Sequence, residues 1–140
     1  MKPHQIFGSF VAILIAIHSA SAGADAKKGV EFFENKIRPV LTKYCYECHS
    51  AQAKKLKGGL FLDSKAGMLA GGDSGPLFVA GKAKESLLIK ALEHDGPTKM
   101  PSQSTKLSKE IIGDFVKWIE MGAPDPRDPH GPARPELADK

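Results

Sequence analysis

Both cysteines of the 140-residue chain fall in one short stretch, Cys45-Tyr46-Glu47-Cys48-His49. The C-x-x-C-H spacing is that of a c-type haem attachment signal. On one helical turn, residues three and four apart share a face, so Cys45, Cys48 and His49 can approach a single flat group together. The two thiols would add across the porphyrin vinyl groups as thioethers, and the imidazole that follows would supply the proximal iron ligand. A C-x-x-C pair also suits a disulfide, a redox dithiol or half of a zinc site. A dithiol of the thioredoxin kind expects a βαβ pattern upstream, where this sequence reads as helix. Zinc needs four ligands, yet there is no second C-x-x-C, and His94 and His130 stand isolated. The stretch predicts one covalently bound haem c per chain.

Iron held by His49 alone would keep an open position, suited to gas binding or peroxidatic chemistry; a second protein ligand would favour electron transfer. The candidates beyond the motif are Met68, His94, Met100, Met121 and His130. Met100 is the best placed, in a loop between two helical patterns with Pro101 stiffening the backbone beside it. A thioether is a soft ligand that favours ferrous iron and raises the reduction potential. Met68 and Met121 read as packing residues. His94 is the second choice for the distal position, although it most simply caps a helix C-terminus. The expected haem-binding set is therefore Cys45, Cys48, His49 and Met100, with His49 and Met100 on the metal and no catalytic residue.

These groups must be positioned by the elements around them. Val30, Phe32, Phe33, Ile37, Val40 and Leu41 recur at near-helical spacing from Gly29 to Tyr44 and lead straight into the motif. Pro39 lacks a donor N–H, so that helix is expected to kink or restart there. From Ser50 to Lys84 the chain turns polar and glycine-rich, which implies turns, with Leu60, Phe61, Leu62, Leu77, Phe78 and Val79 as apolar islands folding back over the haem. A short strand at Gly59–Leu62 and a short helix at Ser64–Ala70 are expected within it. Gly72-Asp73-Ser74-Gly75-Pro76 echoes the nucleophile segment of chymotrypsin-like proteases, but a glycine is missing and no histidine stands in a suitable strand. No Walker or G-x-G-x-x-G pattern supports a phosphate cradle, so the segment reads as a turn. Glu85–His94 predicts a short amphipathic helix stopped by Gly96-Pro97. Ser108 caps a last helix through Met121, with Ile111, Ile112, Phe115, Val116, Trp118 and Ile119 on its apolar face. Gly113 within it suggests a close approach of another helix.

The ends of the chain read differently. An uncharged apolar run from Ile6 to Ile17 follows Lys2 and precedes Ser19-Ala20-Ser21-Ala22. It is short for a span of about 20 residues. Residues 1–22 thus read as a cleaved signal peptide, with Ala24-Asp25-Ala26 as the alternative site and an uncleaved anchor as the alternative fate. Residues 27–123 form one haem domain, and residues 124–140, rich in proline and charge, read as a disordered, solvated tail. A net charge of +4 fits steering toward an acidic redox partner and gives no case for nucleic-acid binding.

The ordered series Phe32-Phe33-Glu34, Ile37-Arg38-Pro39-Val40-Leu41, Cys45–His49, Gly59-Leu60, Leu62-Asp63 and Gly71-Gly72-Asp73-Ser74-Gly75-Pro76 resembles the planctomycete-type cytochrome c domain. The resemblance continues through Ser86-Leu87-Leu88-Ile89, Met100-Pro101, Leu107-Ser108 and Trp118-Ile119 to Gly122-Ala123-Pro124, covering about residues 29–126. It implies an all-α cytochrome c fold: N- and C-terminal helices crossing around a covalent haem, a long glycine-rich loop, His49 proximal and Met100 distal. In that family the domain commonly heads a much longer polypeptide, and a role tied to those further domains does not carry over to this chain. The combined expectation is an exported, periplasmic, mono-haem carrier of single electrons for a separate redox protein, and not an enzyme. It would touch membrane only if the signal segment is retained as an anchor. The alternatives are a haem-based gas binder or sensor, or the haem subunit of a larger oxidoreductase complex.

Overall fold

The computed structural model describes residues 23–102 and 105–127; the expected signal peptide (1–22), His130 and most of the expected tail lie outside them. Residues 23–32 form helix α1, which runs on through a π-helical turn, Phe33–Ile37, into α2, Arg38–Tyr44. Arg38 N–H donates to the Phe33 carbonyl, one residue beyond the α-helical register. The widened turn sits directly before Pro39, which has no N–H for an i−4 carbonyl and whose ring would crowd it. The restart expected at Pro39 is thus made by a π turn, and helix begins earlier than Gly29.

Three further helices follow: α3, Lys65–Ala70; α4, Leu87–Glu93, preceded by a 3₁₀ turn at Ala83–Glu85; and α5, Lys109–Glu120. Ser64 and Ser108 cap α3 and α5, their hydroxyls accepting from Gly67 N–H and Ile111 N–H. The described residues hold no strand, only an isolated bridge between Gly72 and Gly75, so the architecture is all-α. The strand expected at Gly59–Leu62 is absent: Leu60 N–H turns back to Lys57 O, while Leu62 N–H donates to His49 O and Leu62 O accepts from Arg127, rather than any of them pairing with a neighbouring strand. The single helix expected from Glu85 to His94 is split at Ser86, which is extended. It stops at His94 itself, in the left-handed region with φ 58°, two residues before Gly96.

One core holds these pieces together. Phe33, Ile37 and Leu41 from the N-terminal helices meet Ile112, Phe115, Trp118 and Ile119 of α5, with Leu88 and Leu92 of α4 alongside. The Phe33 and Trp118 rings lie 5.9 Å apart, and Phe78 and Phe115 contact Trp118 edge-on. Lys36 and Asp114 add an ion pair across the same contact at 3.8 Å. Phe32 lies under the Lys117 ammonium, 4.9 Å from the ring centre. Gly113 is not a close-packing residue: a Cβ there would meet nothing within 4 Å. The close approach occurs at Gly29, where a Cβ would lie 2.8 Å from Pro124 Cγ.

After α5 the chain does not pass at once into a solvated tail. Gly122, with φ 91°, turns it back, Trp118 Nε1–H donates to the Pro124 carbonyl at 2.8 Å, and Asp125 is buried.

Candidate functional site: a haem cavity

The Cys45–His49 stretch leaves α2 as a tight turn. Cys45 N–H still donates to Leu41 O in helical register, and Cys48 and His49 N–H both return to Cys45 O, at 3.2 and 2.9 Å. That is the single turn the spacing called for. Three bonds pin it, Ser50 Oγ–H to Tyr46 O at 2.6 Å, Lys57 N–H to Cys48 O at 3.0 Å and Leu62 N–H to His49 O at 2.8 Å, and Ala51 N–H to Asp63 Oδ2 at 2.8 Å fastens the chain just after it. Ser50, Leu62 and Asp63 are therefore supports of the site that the motif alone did not reveal.

A cavity of about 310 Å³ opens beside the turn. Cys45, Cys48 and His49 line it on one side, and Met100 lines it from the loop after α4. Leu60, Leu62 and Leu77 from the loops and Leu88 and Leu92 from α4 make its walls apolar, while Lys43, Glu47, Ser74, Thr98 and Ser102 also contribute to its lining. Residues from two segments about 50 positions apart in the 140-residue chain thus meet at one space.

The electrostatics of the turn follow from burial. Both cysteines are free thiols, and burial pushes the Cys45 thiol up to about 12, which keeps it protonated. His49 is buried at 9 % exposure, and burial holds its imidazole below the ordinary histidine value, that is, neutral. Backbone groups of Lys57 and Leu60 offset part of that shift, but none closes to a hydrogen bond with Nδ1, which is buried without a partner. A neutral imidazole and two free thiols facing an apolar cavity are the donor set that a covalently held haem requires, so the residues fit the group.

Met100 is held where it stands by α4. Its N–H donates to Ala91 O at 3.0 Å, and His94 Nε2–H donates to its carbonyl at 3.2 Å. His94 is not among the cavity residues; it caps α4 and fastens the Met100 loop. Met68 is 2 % exposed in the core and Met121 is 41 % exposed, neither of them lining the cavity.

Residues 45–103, from the first anchor cysteine to just past Met100, match the family model described as Planctomycete cytochrome C. That stretch resembles a planctomycete-type cytochrome c domain, which supports a c-type cytochrome, and the family implies haem c as the bound group. The matched segment contains the attachment turn, the glycine-rich stretch, α3, α4 and the Met100 loop, whereas the N-terminal helices and α5 lie outside it. No curated protein and no solved structure matches the chain.

Proposed function

We propose that the chain is an exported, mono-haem carrier of single electrons whose iron is held between His49 and Met100. The observation that carries this assignment is the meeting of Cys45, Cys48, His49 and Met100 around one apolar cavity. Haem c, when bound, supplies a Fe(III)/Fe(II) couple that accepts and returns one electron. The chain's own residues do the rest. Cys45 and Cys48 would tether the group at two points on a turn that is itself hydrogen-bonded on both sides. His49, neutral by burial, offers an imidazole nitrogen without first having to lose a proton. Met100, fastened through Ala91 and His94, offers a thioether from a second segment and so would close the site to outside ligands. The leucine walls keep water away, which disfavours the extra charge of the oxidised state and raises the potential further.

Electron exchange asks for a route to a partner rather than a pocket for a substrate. The exposed lysines on either side of the attachment turn, Lys43, Lys54, Lys55 and Lys57, fit an acidic redox protein docking over it. Export is supported by the Ile6–Ile17 run and the small residues after it. Among the described residues no helix is long and apolar enough to cross a membrane.

The test is chemical. Expressed in a host that matures c-type cytochromes, the wild type should carry haem through a denaturing gel, and Cys45→Ser with Cys48→Ser should not. Haem staining at the protein band of the double variant would overturn the attachment site.

A further inference from the structure

Among the described residues none beyond Ser102 lines the haem cavity, yet the most densely bonded side chain among them lies further on. Arg127 is an arginine of the expected tail, and its side chain is 9 % exposed. Its Nε and Nη2 fork onto the Asp125 carboxylate at 2.9 and 2.6 Å, and Asp125 is itself 4 % exposed. Nη1 donates to Tyr46 Oη at 3.0 Å and to Leu62 O at 2.7 Å. Nη2 also reaches Met68 Sδ at 2.8 Å, and the guanidinium plane stands 5.0 Å from the centre of the Phe33 ring. Burial alone would lower the basicity of this group, but the hydrogen bonds and charges of Asp125 and Tyr46 more than reverse that, so the cation is firmly held.

One of these contacts ends on the haem-attachment turn and another ends one hydrogen bond short of it. Tyr46 is the residue between the anchor cysteine Cys45 and Glu47. Leu62, whose carbonyl accepts from Arg127, is the residue whose N–H donates to the His49 carbonyl at 2.8 Å. The path Arg127–Leu62–His49 is therefore two hydrogen bonds long, and Arg127–Tyr46 is a second tie to the same turn. A lysine could not reproduce it: one ammonium lacks the planar fork that serves a carboxylate on one side and two oxygens on the other.

We infer that Arg127 is a positioning residue of the haem site, which fixes the His49 turn through Leu62 and Tyr46 while Asp125 holds its charge in place. The C-terminal segment 124–127 thereby belongs to the redox centre rather than to a tail. This rests on the assignment of His49 as a haem ligand, and the experiment separates the two.

Haem-loaded wild type, Arg127→Lys, Arg127→Gln and Tyr46→Phe would be compared with Ile112→Val, a core change on α5 that lines no part of the cavity. In the oxidised proteins, the paramagnetically shifted NMR signals of the His49 ring should move in Arg127→Lys and Tyr46→Phe and stay in place in Ile112→Val. Arg127→Gln, which leaves the buried Asp125 carboxylate without its cation, should raise the ratio of oxidised to reduced protein at a fixed potential at least threefold. If the arginine variants only lose thermal stability, as Ile112→Val does, with wild-type potential and His49 signals, then Arg127 is a structural strut and the inference fails. Should neither arginine variant fold, unmoved His49 signals in Tyr46→Phe overturn it. A wild type without covalent haem would overturn the underlying haem assignment instead.

Discussion

In the haem-free chain at about pH 8, iodoacetamide should alkylate Cys45 on the order of a thousandfold more slowly than it alkylates the same thiol in denaturant. The magnitude follows from burial, which raises that thiol from 9.0 to about 12. At any pH below the unfolded value, the folded chain then holds about 10³-fold less thiolate, and the thiolate is the species that reacts. The same rise links folding to pH. Between about 9 and 12 the folded chain keeps the Cys45 proton while the unfolded chain has lost it, so stability falls as pH rises. Below 9 the contribution is fully present, and at most about 4 kcal/mol is lost by the time pH reaches the folded value. A Cys45→Ser chain should not show this alkaline loss, and neither should the haem-bound protein, in which a thioether has no proton to lose. Mass spectrometry of alkylated peptides over time measures the rate, and denaturant titrations across the alkaline range measure the stability. Equal labelling rates of Cys45 in native and denaturing buffer would refute the burial of the thiol against the cavity wall.

Two packing predictions bear on what holds the cavity. Gly67→Ala should destabilise the fold by about 1–3 kcal/mol, since its Cβ would lie 2.5 Å from Phe61 Cβ and 2.7 Å from Phe61 O; an unchanged denaturation midpoint would show that α3 does not press on this segment. Ser86→Ala should cost about 1–3 kcal/mol, because the hydroxyl, fully buried, accepts from Val79 N–H at 3.0 Å and donates to Lys82 O at 2.9 Å, and both groups would lose their partner. A midpoint within error of wild type would show that water replaces the hydroxyl there.

Much of this was legible from residue types and spacing. The 3.6-residue period of α5 placed Ile112, Phe115, Trp118 and Ile119 in the core, and the Ser108 cap marked its start. Cys45, Cys48 and His49 needed only one turn of chain to come together, so local pattern sufficed. Met100 was singled out by its loop context, and its place on the cavity lining depends on hydrogen bonds to Ala91 and from His94 that a loop sequence does not advertise. What stayed hidden is long-range and polar. Arg127 lies 81 residues from Tyr46 and 65 from Leu62 in the chain, within a proline-rich charged stretch whose composition reads as solvated. Nothing periodic announces a buried ion pair there. Gly113 misled for a related reason: a helical glycine signals missing bulk, but only the fold shows whether another element uses the space.

The most direct test of the haem assignment and its distal ligand is the visible spectrum of the protein matured with haem, recorded oxidised and reduced, beside Met100→Ala. Closed His49–Met100 ligation predicts covalent haem with the weak far-red band of Met–Fe(III) ligation in the wild type, no rapid CO binding by the native reduced protein, and loss of that band in Met100→Ala. A far-red band that survives Met100→Ala would contradict the distal assignment. Rapid CO binding by the native wild type would point to a gas-binding site, and a colourless wild type with a redox-active Cys45–Cys48 disulfide would contradict the haem cavity itself.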